Sequence, residues 1–383
     1  MKILIVAPQP FFTIRGTPMA IRELARGLKK LGHEIDIATF HLGDDIAKDG
    51  IKIHRTKLFS KLVRSLPPGF SAKKVLLDSV LFPKALFLAI RNKYDVVHCV
   101  EESAFFFSVF GWLTTSLFTY DMDSIIPDQL AESGKIKSKY LLKLASAFER
   151  LAIKRANAVV TICSVFTDTV KKDWPDKPIF QIEDVSVEDN FSNEIALSDK
   201  QLILYTGNFE KYQGVEELIN GFLKIKDDFP SAELLIVGGE KEEVDLFKIR
   251  YNNERIVFAG KRPISEIPKY LEQADIVVSP RTKGKNTPFK IYSYLASGKA
   301  ILATDIVSHK QVLTDDEDSL LVSPTSGGLA EGLKKLLSDD DLTLRLGVGA
   351  RRLFDEKYTR KRFEEKVGKY AEFMEELLWT RKL

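Results

Sequence analysis

The chain has 383 residues, enough for two ordinary domains, and is 44% hydrophobic against 29% charged, which excludes a disordered, collagen-like or disulfide-scaffold protein. A formal charge of +3 is too small for a dedicated nucleic-acid binder. No targeting segment is visible before Arg15, and no uncharged apolar run approaches ~18–20 residues, so the expectation is a cytoplasmic chain without a membrane-spanning helix.

Lys2–Ala7 is a short β-branched run of the kind that forms a buried parallel strand. Met19, Ile21, Leu24, Ala25, Leu28 and Leu31 then recur at helical spacing up to Gly32, predicting a helix over 18–31 and a strand over 34–40. Further strands are expected at 95–99, 116–120, 158–162 and 179–182, separated by helical stretches. Residues 187–200 are polar and poor in aromatics, as in a linker. The pattern then restarts, with strands at 201–206, 233–237, 256–258, 276–279 and 300–304 and helices at 215–227, 244–251, 264–274 and 288–297. The alternation predicts an α/β protein of two doubly wound, Rossmann-like domains, 1–190 and 201–357, facing each other across a cleft and joined by a linker at 191–200. A long charged helix in 358–383 either covers the second domain or crosses back onto the first. Cys99 and Cys163 lie in the apolar segments VVHCVE and VVTICS and read as reduced core thiols.

Ligands of such folds sit beyond the carboxyl ends of the strands, where helices begin. Arg15-Gly16-Thr17-Pro18 predicts Thr17 as N-cap and Pro18 as first helical residue, with Gly16 leaving room for close approach to the backbone. Asn286-Thr287-Pro288 repeats the arrangement, Gly298 is a stop signal, and Ser308 reads as a third cap. Helix N-termini present unsatisfied amides to phosphate, and each of these residues equally suits plain capping. Arg281, Lys283, Lys285 and Lys290 follow the strand IVVSP and are placed to neutralise a diphosphate. The first loop lacks G-x-G-x-x-G, which disfavours a dinucleotide-dependent oxidoreductase. The five histidines show no metal-ligand spacing, and no metal is expected.

MKILIVAPQP…RGTP…ELARGLKKLGHEIDIAT, YTGNFEKYQGVEELINGF, LLIVGGE, RIVFAGKRPISEIPKYLEQADIVVSPR and PFKIYSYLASGKAILATDIVSHKQVL stand in one order along nearly the whole chain. In that order and spacing the chain resembles the retaining glycosyltransferases of family 4. The resemblance implies a GT-B fold, a nucleotide-diphosphate sugar as donor, and no required cofactor. It also implies transfer to a glycan or lipid-linked acceptor with retention at the anomeric carbon, as in cell-envelope glycan biosynthesis. It places Gly207, Asn208 and Gln213 on the donor diphosphate, where the family has an Arg at 208 and a Lys at 213. Lys285 and Ser293 stand where the family has paired glutamates, Ser293 at the one that meets the ribose, and Gln311 stands for a further Glu. The family's His after the fourth first-domain strand is missing from FTYDMDS, where Asp121 or Asp123 takes its place.

Two readings follow. In one, an active hexosyltransferase has a rebuilt donor site: Gly16, Thr17, Gly207, Asn208, Gln213, Arg281, Lys285, Thr287, Pro288, Lys290 and Ser293 hold the donor, and Asp121, Asp123 and His98 are the catalytic candidates. Arg15, Glu101 and Glu102 then face the acceptor. In the other, the scaffold is kept and catalysis lost, leaving a binding or partner subunit. His98 equally suits a hydrogen-bonded core histidine, and Glu101 and Glu102 equally suit solvated loop acids.

Between Lys52 and Lys93 ten basic residues face a single acid, Asp78, and Leu58, Phe59, Leu62, Val63, Leu66, Phe70, Leu76, Leu77, Leu81 and Phe82 are interleaved with them. Such a stretch suits peripheral contact with anionic lipid at the inner face of a cell membrane, or a helix with its apolar side turned inward and its lysines solvated.

Overall fold

In a computed structural model, the protein is described at all residues except 14, 45–49, 67–68, 133–137, 187–190, 192–200 and 383. It divides into two compact units, Met1–Glu183 with Phe363–Leu383, and Asp184–Arg362. The expected linker at 191–200 lies outside the described residues apart from Phe191, which is buried in the core of the second unit.

The first unit is built on seven parallel strands, β1 (Lys2–Ala7), β2 (Glu34–Thr39), β3 (Lys52–Arg55), β4 (Val96–Val100), β5 (Leu117–Met122), β6 (Ala158–Thr161) and β7 (Ile179–Gln181). They lie in the order β3-β2-β1-β4-β5-β6-β7, and the strand order reverses between β1 and β4. Its helices are α1 (Gly16–Lys30), α2 (Ala72–Asn92), α3 (Ser103–Phe110), α4 (Ile126–Glu132), α5 (Lys139–Arg155) and α6 (Ser164–Asp173).

The second unit has six parallel strands, β8 (Gln201–Gly207), β9 (Ala232–Gly238), β10 (Ile256–Gly260), β11 (Ile276–Ser279), β12 (Ala300–Thr304) and β13 (Leu320–Val322), ordered β10-β9-β8-β11-β12-β13. The reversal here falls between β8 and β11. Its helices are α7 (Val215–Ile225), α8 (Lys241–Arg250), α9 (Ile267–Gln273), α10 (Lys290–Ser297), α11 (Val307–Lys310), α12 (Ser326–Ser338) and α13 (Asp340–Lys357). The last helix, α14 (Arg360–Lys382), belongs to the first unit from Phe363 onward.

The central strands are buried on both faces, which is why they read as continuous apolar runs. The two strands that escape the sequence pattern, β3 and β13, are short sheet edges, and β3 is the polar segment KIHR. Along α14, Val367, Tyr370, Ala371 and Met374 are buried at one-face spacing. Gly27 of α1 makes room for this helix, because a Cβ there would meet Val367 Cγ1 at 2.9 Å. Cys99 and Cys163 are buried and form no disulfide.

The capping expectations are corrected. α1 starts at Gly16, with the Met19 N–H already bonded to Arg15 O at 3.1 Å, so Thr17 and Pro18 lie inside its first turn rather than at N-cap and N1. α10 opens with tight Ile291-to-Pro288 and Tyr292-to-Phe289 bonds, and its regular part begins at Lys290, so Thr287 caps nothing. Ser308 lies within α11, after its N-cap Ile306. Gly298 does end α10, in the left-handed conformation. The basic stretch from Lys52 is an edge strand, a loop and α2; Val63, Leu66, Leu77, Leu81 and Phe82 are buried and Phe59 and Leu76 pack half-buried against them, while Leu58, Leu62 and Phe70 are exposed.

Candidate active site

At the β8/β11 reversal, Tyr205 and Gly207 end β8, and the loop that follows is held by its own hydrogen bonds. Tyr205 OH donates to Asn208 O at 2.7 Å, and Asn208 Oδ1 accepts the Glu210 N–H at 3.2 Å, an Asx turn. Lys290, the first residue of α10, lays its ammonium over the Tyr205 ring, 3.9 Å from the centroid, and 3.4 Å from Gln213 Oε1. Gly207 is held at φ +146°, and a Cβ there would lie 2.7 Å from Lys290 Nζ, so only glycine admits the ammonium at this spot. Among the described residues no carboxylate pairs with Lys290. Burial, and then the charge of Arg281, push its pKa well below the ordinary lysine value.

Arg281 is itself buried, stacked over Tyr212 at 5.0 Å, and donates to Asn286 O at 2.8 Å and Asn286 Oδ1 at 3.0 Å. Its carbonyl accepts from Thr304 Oγ1. Behind it His309 is fully buried. Nδ1 lies 2.8 Å from Thr304 O, which can only accept, so Nδ1 carries the proton and Nε2 accepts from Ser279 Oγ at 2.9 Å. Burial, reinforced by Arg281 and Lys290, lowers the His309 pKa to about 4 and keeps it neutral.

Two hydroxyls near these elements, Thr287 Oγ1 and Ser308 Oγ, are buried without a hydrogen-bond partner among the described residues. Lys285 and Lys283 are exposed, and at Lys285 it is the carbonyl that is fixed, by Gln311 Nε2 at 2.6 Å. Ser293 meets Ser186 at 3.4 Å, and Pro288 is buried beside Thr287.

The β1/β4 reversal of the first unit is acidic. His98 is buried, with Nε2 3.0 Å from Asp121 Oδ2 and Nδ1 2.9 Å from Tyr370 OH and 3.0 Å from Thr119 Oγ1. An Nε2–H facing a carboxylate leaves Nδ1 to accept, and the phenol is the better donor to it. Asp123 is buried close by. Glu101, at φ +50°, and Glu102 turn toward α2, where Lys74 pairs with Glu102 Oε1 at 2.5 Å and Glu101 Oε2 at 3.6 Å. Asp78, one turn further along α2, is buried with Oδ1 unpartnered among the described residues. Burial raises the pKa of Asp78 and of Glu101, with Glu102 adding to both and Lys74 opposing. Glu101 and Glu102 are thus members of a half-buried ion cluster rather than solvated loop acids. Arg15 donates to Leu66 O at 3.2 Å, beside Gly16 and Thr17 in the first turn of α1.

No group of His, Cys, Asp and Glu able to hold a metal ion occurs among the described residues. Residues 14–182 match the family described as Glycosyltransferase Family 4, and residues 200–339 match Glycosyl transferases group 1. The chain belongs to glycosyltransferase family 4. This glycosyltransferase is 25% identical over 385 residues to an uncharacterized glycosyltransferase of Methanocaldococcus jannaschii, covering 94% of this chain and 95% of that one. It is 22% identical over 360 residues to the phosphatidyl-myo-inositol mannosyltransferase of Mycolicibacterium smegmatis, covering 92% and 88%. In fold it superposes on Anabaena HepE in complex with UDP with a TM-score of 0.73 at 14% identity, over 97% of this chain and 100% of that one. The GT-B architecture and transferase class expected from the sequence are therefore those of this protein.

In the glycosyltransferase the structure groups Gly207, Gln213, Arg281 and Lys290 at one reversal and His98, Asp121, Glu101 and Glu102 at the other. Sequence reasoning missed Tyr370, Lys74, Asp78 and the Ser279–His309 pair. Lys74 and Asp78 are four apart on a helix, a visible ion-pair spacing, whereas Tyr370 lies 272 residues from His98 and left no local signal.

Proposed function

We propose that this glycosyltransferase moves a hexosyl group from a nucleotide-diphosphate sugar to a glycan or lipid-linked acceptor with retention at the anomeric carbon. The observation that carries the donor side is the buried Lys290 ammonium beside Arg281, with no carboxylate paired to it among the described residues, and two hydroxyls near by, Thr287 and Ser308, that find no partner among them. A buried cation without a counter-ion is costly unless an anion arrives, and a diphosphate supplies both charge and acceptor oxygens. In this reading Lys290 and Arg281 stand in for the cations absent at Asn208 and Gln213, Gln213 orients Lys290, and Thr287, Pro288, Gly207 and Ser293 line the donor. HepE, the superposed fold, binds UDP and UDP-glucose, which supports a nucleotide-sugar ligand.

Transfer then needs no protein nucleophile. The departing diphosphate helps to deprotonate the acceptor hydroxyl, while Lys290 and Arg281 stabilise the leaving charge and the protein fixes the two reactants. Asp121, held by His98, and Asp123 meet the reacting sugars, and Glu101, Glu102 and Arg15 meet acceptor hydroxyls. The relative that acts on phosphatidyl-myo-inositol supports a lipid-borne acceptor of the cell envelope, reached by peripheral contact with the membrane from the cytoplasm.

Thermal-shift screening against nucleoside diphosphates, followed by a donor panel with purified protein, tests this. Stabilisation by at least one diphosphate and an α-configured product from an α-linked donor are expected. No stabilisation by any of them removes the donor reading.

A further inference from the structure

β4 and β5 carry three polar side chains on one face of the first unit's sheet. His98 and Thr119 are register partners, and Asp121, two residues beyond Thr119, stands on the same side. On the other face Val97, Cys99, Phe118, Tyr120 and Met122 join the apolar core. Buried polar groups in a central strand cost stability unless each is bonded, and packing alone would favour apolar residues at these positions. The last helix, α14, belongs to the same unit and is seated on it by the buried Val367, Tyr370, Ala371 and Met374. Of these, Tyr370 reaches the polar set.

The hydrogen bonds there run in one direction. An ionised Asp121 can only accept, so His98 Nε2, 3.0 Å from Asp121 Oδ2, carries the proton and Nδ1 keeps a lone pair. Tyr370 OH lies 2.9 Å from Nδ1 and Thr119 Oγ1 3.0 Å. Thr119 also bonds the phenol, and burial raises the Tyr370 pKa, so the phenol keeps its proton and donates it to Nδ1. The phenol ring stands edge-on to the imidazole at 5.9 Å and packs on Phe180 at 5.3 Å, which fixes its approach. His98 is 1% exposed and acts only through what it holds. Asp121 Oδ1, by contrast, takes no hydrogen bond among the described residues.

We infer that Tyr370 and His98 are positioning residues for Asp121: the phenol holds His98 as the Nε2–H tautomer, and that N–H clamps one carboxylate oxygen so that Oδ1 is presented to the reacting sugars. The last helix is thereby part of the site, and His98 positions a catalytic residue rather than being one. A carboxylate already fixed on one side loses little freedom when a sugar hydroxyl arrives, which favours the chemical step over binding. This inference rests on the role proposed above for Asp121 and adds how that residue is held.

Two measurements on the full chain test it. Isotope labelling of the histidine nitrogens reports ring tautomers by NMR, the His98 signals being those lost in His98→Gln. A neutral His98 with its proton on Nε2 is expected, and Tyr370→Phe should move the Nδ1 resonance toward its unbonded position. A proton on Nδ1, an imidazolium, or an Nδ1 resonance unmoved by Tyr370→Phe overturns the inference. Turnover of a donor panel that includes UDP-glucose and GDP-mannose is then followed as release of the nucleoside diphosphate. Tyr370→Phe should lower kcat about threefold to tenfold at unchanged donor KM, as expected for one lost hydrogen bond. Tyr94→Phe is the control, since that buried phenol also bonds a carboxylate, Asp36, but lies before the amino end of β4. It should lower Tm to a similar degree and leave kcat unchanged. His98→Gln keeps an N–H for Asp121 and should retain about tenfold more kcat than His98→Leu. An unchanged kcat in Tyr370→Phe, or equal losses in the two His98 variants, overturns the inference while the donor reading stands. No turnover of any donor by the unaltered protein overturns the role of Asp121 and the inference together.

Discussion

The two strand-order reversals share a backbone plan and carry opposite charge. Beyond β4 and β5 the first unit gathers Glu101, Glu102, Asp121 and Asp123, with Lys74 and His98 as partners. Beyond β8 and β11 the second unit gathers Arg281 and Lys290, with aromatic rings and amide or hydroxyl oxygens around them. A doubly wound sheet supplies a place for a ligand, and the side chains at the strand ends choose its sign. The acidic reversal holds a lysine, Lys74, paired with Glu101 and Glu102, whereas no carboxylate among the described residues pairs with the Lys290 ammonium.

The sharpest way to break this contrast is to remove each cation in turn. Lys74→Met leaves buried Asp78 and half-buried Glu101 and Glu102 without their cation and should destabilise the protein by about 2–4 kcal/mol in urea denaturation. Lys290→Met should act oppositely on the ligand-free protein, raising Tm, because it deletes a buried charge that no carboxylate offsets. On the proposed donor reading, the same substitution should weaken binding of the nucleoside diphosphate found in the thermal-shift screen by one to two decades in calorimetry, as expected for a charge-assisted bond of about 1.5–3 kcal/mol. Equal effects of the two substitutions on Tm would abolish the contrast.

Acid and base should also separate the units. His309 is held at about 4 against an ordinary 6.5, so between those values the unfolded chain binds the extra proton and stability falls as pH drops, by up to about 1.4 kcal/mol per unit. Glu149 of α5 accepts the Ile126 N–H at 3.0 Å, and burial raises its pKa from 4.5 to about 7. There the folded state holds the extra proton, so stability falls as pH rises from 4.5 to 7. The two slopes oppose each other between 4.5 and 6.5, so His309→Gln should leave Tm falling with pH across that range and Glu149→Gln should leave it rising; a slope unchanged in either variant removes that group from the account.

The smallest expected effect is that of Tyr370→Phe, which keeps the ring and deletes the hydroxyl on His98 Nδ1. About 1 kcal/mol of stability should be lost, with diphosphate binding unchanged on the proposed reading, because Arg281 and Lys290 lie in the other unit. A change in diphosphate affinity would mean that the two reversals are not independent.

Much of the frame was legible in local pattern. Lys2–Ala7, Ile276–Ser279 and Ala300–Thr304 are strands with the expected limits, since continuous β-branched runs have few alternatives. Capping was misread because Ser and Thr before Pro carry the same signal whether or not the chain turns into a helix there: Thr17 lies inside α1, and Thr287 is buried and unbonded. At the site, Lys290 and Arg281 were named from their closeness in sequence to a strand end. Nothing local marked which nearby cations would be buried, and Lys283 and Lys285 are exposed.

By itself the sequence determined the class of fold, the restart of the pattern in a second domain, and the sign of the charges available near each strand end. These depend on periodicity and composition, which act over a few residues. Only the tertiary structure decided that Lys290 lies on Tyr205 against Gly207, that Lys74 neutralises Glu102, and that Tyr370 reaches His98. Those contacts join residues 28 to 272 positions apart, and their energies come from burial, which no local pattern carries.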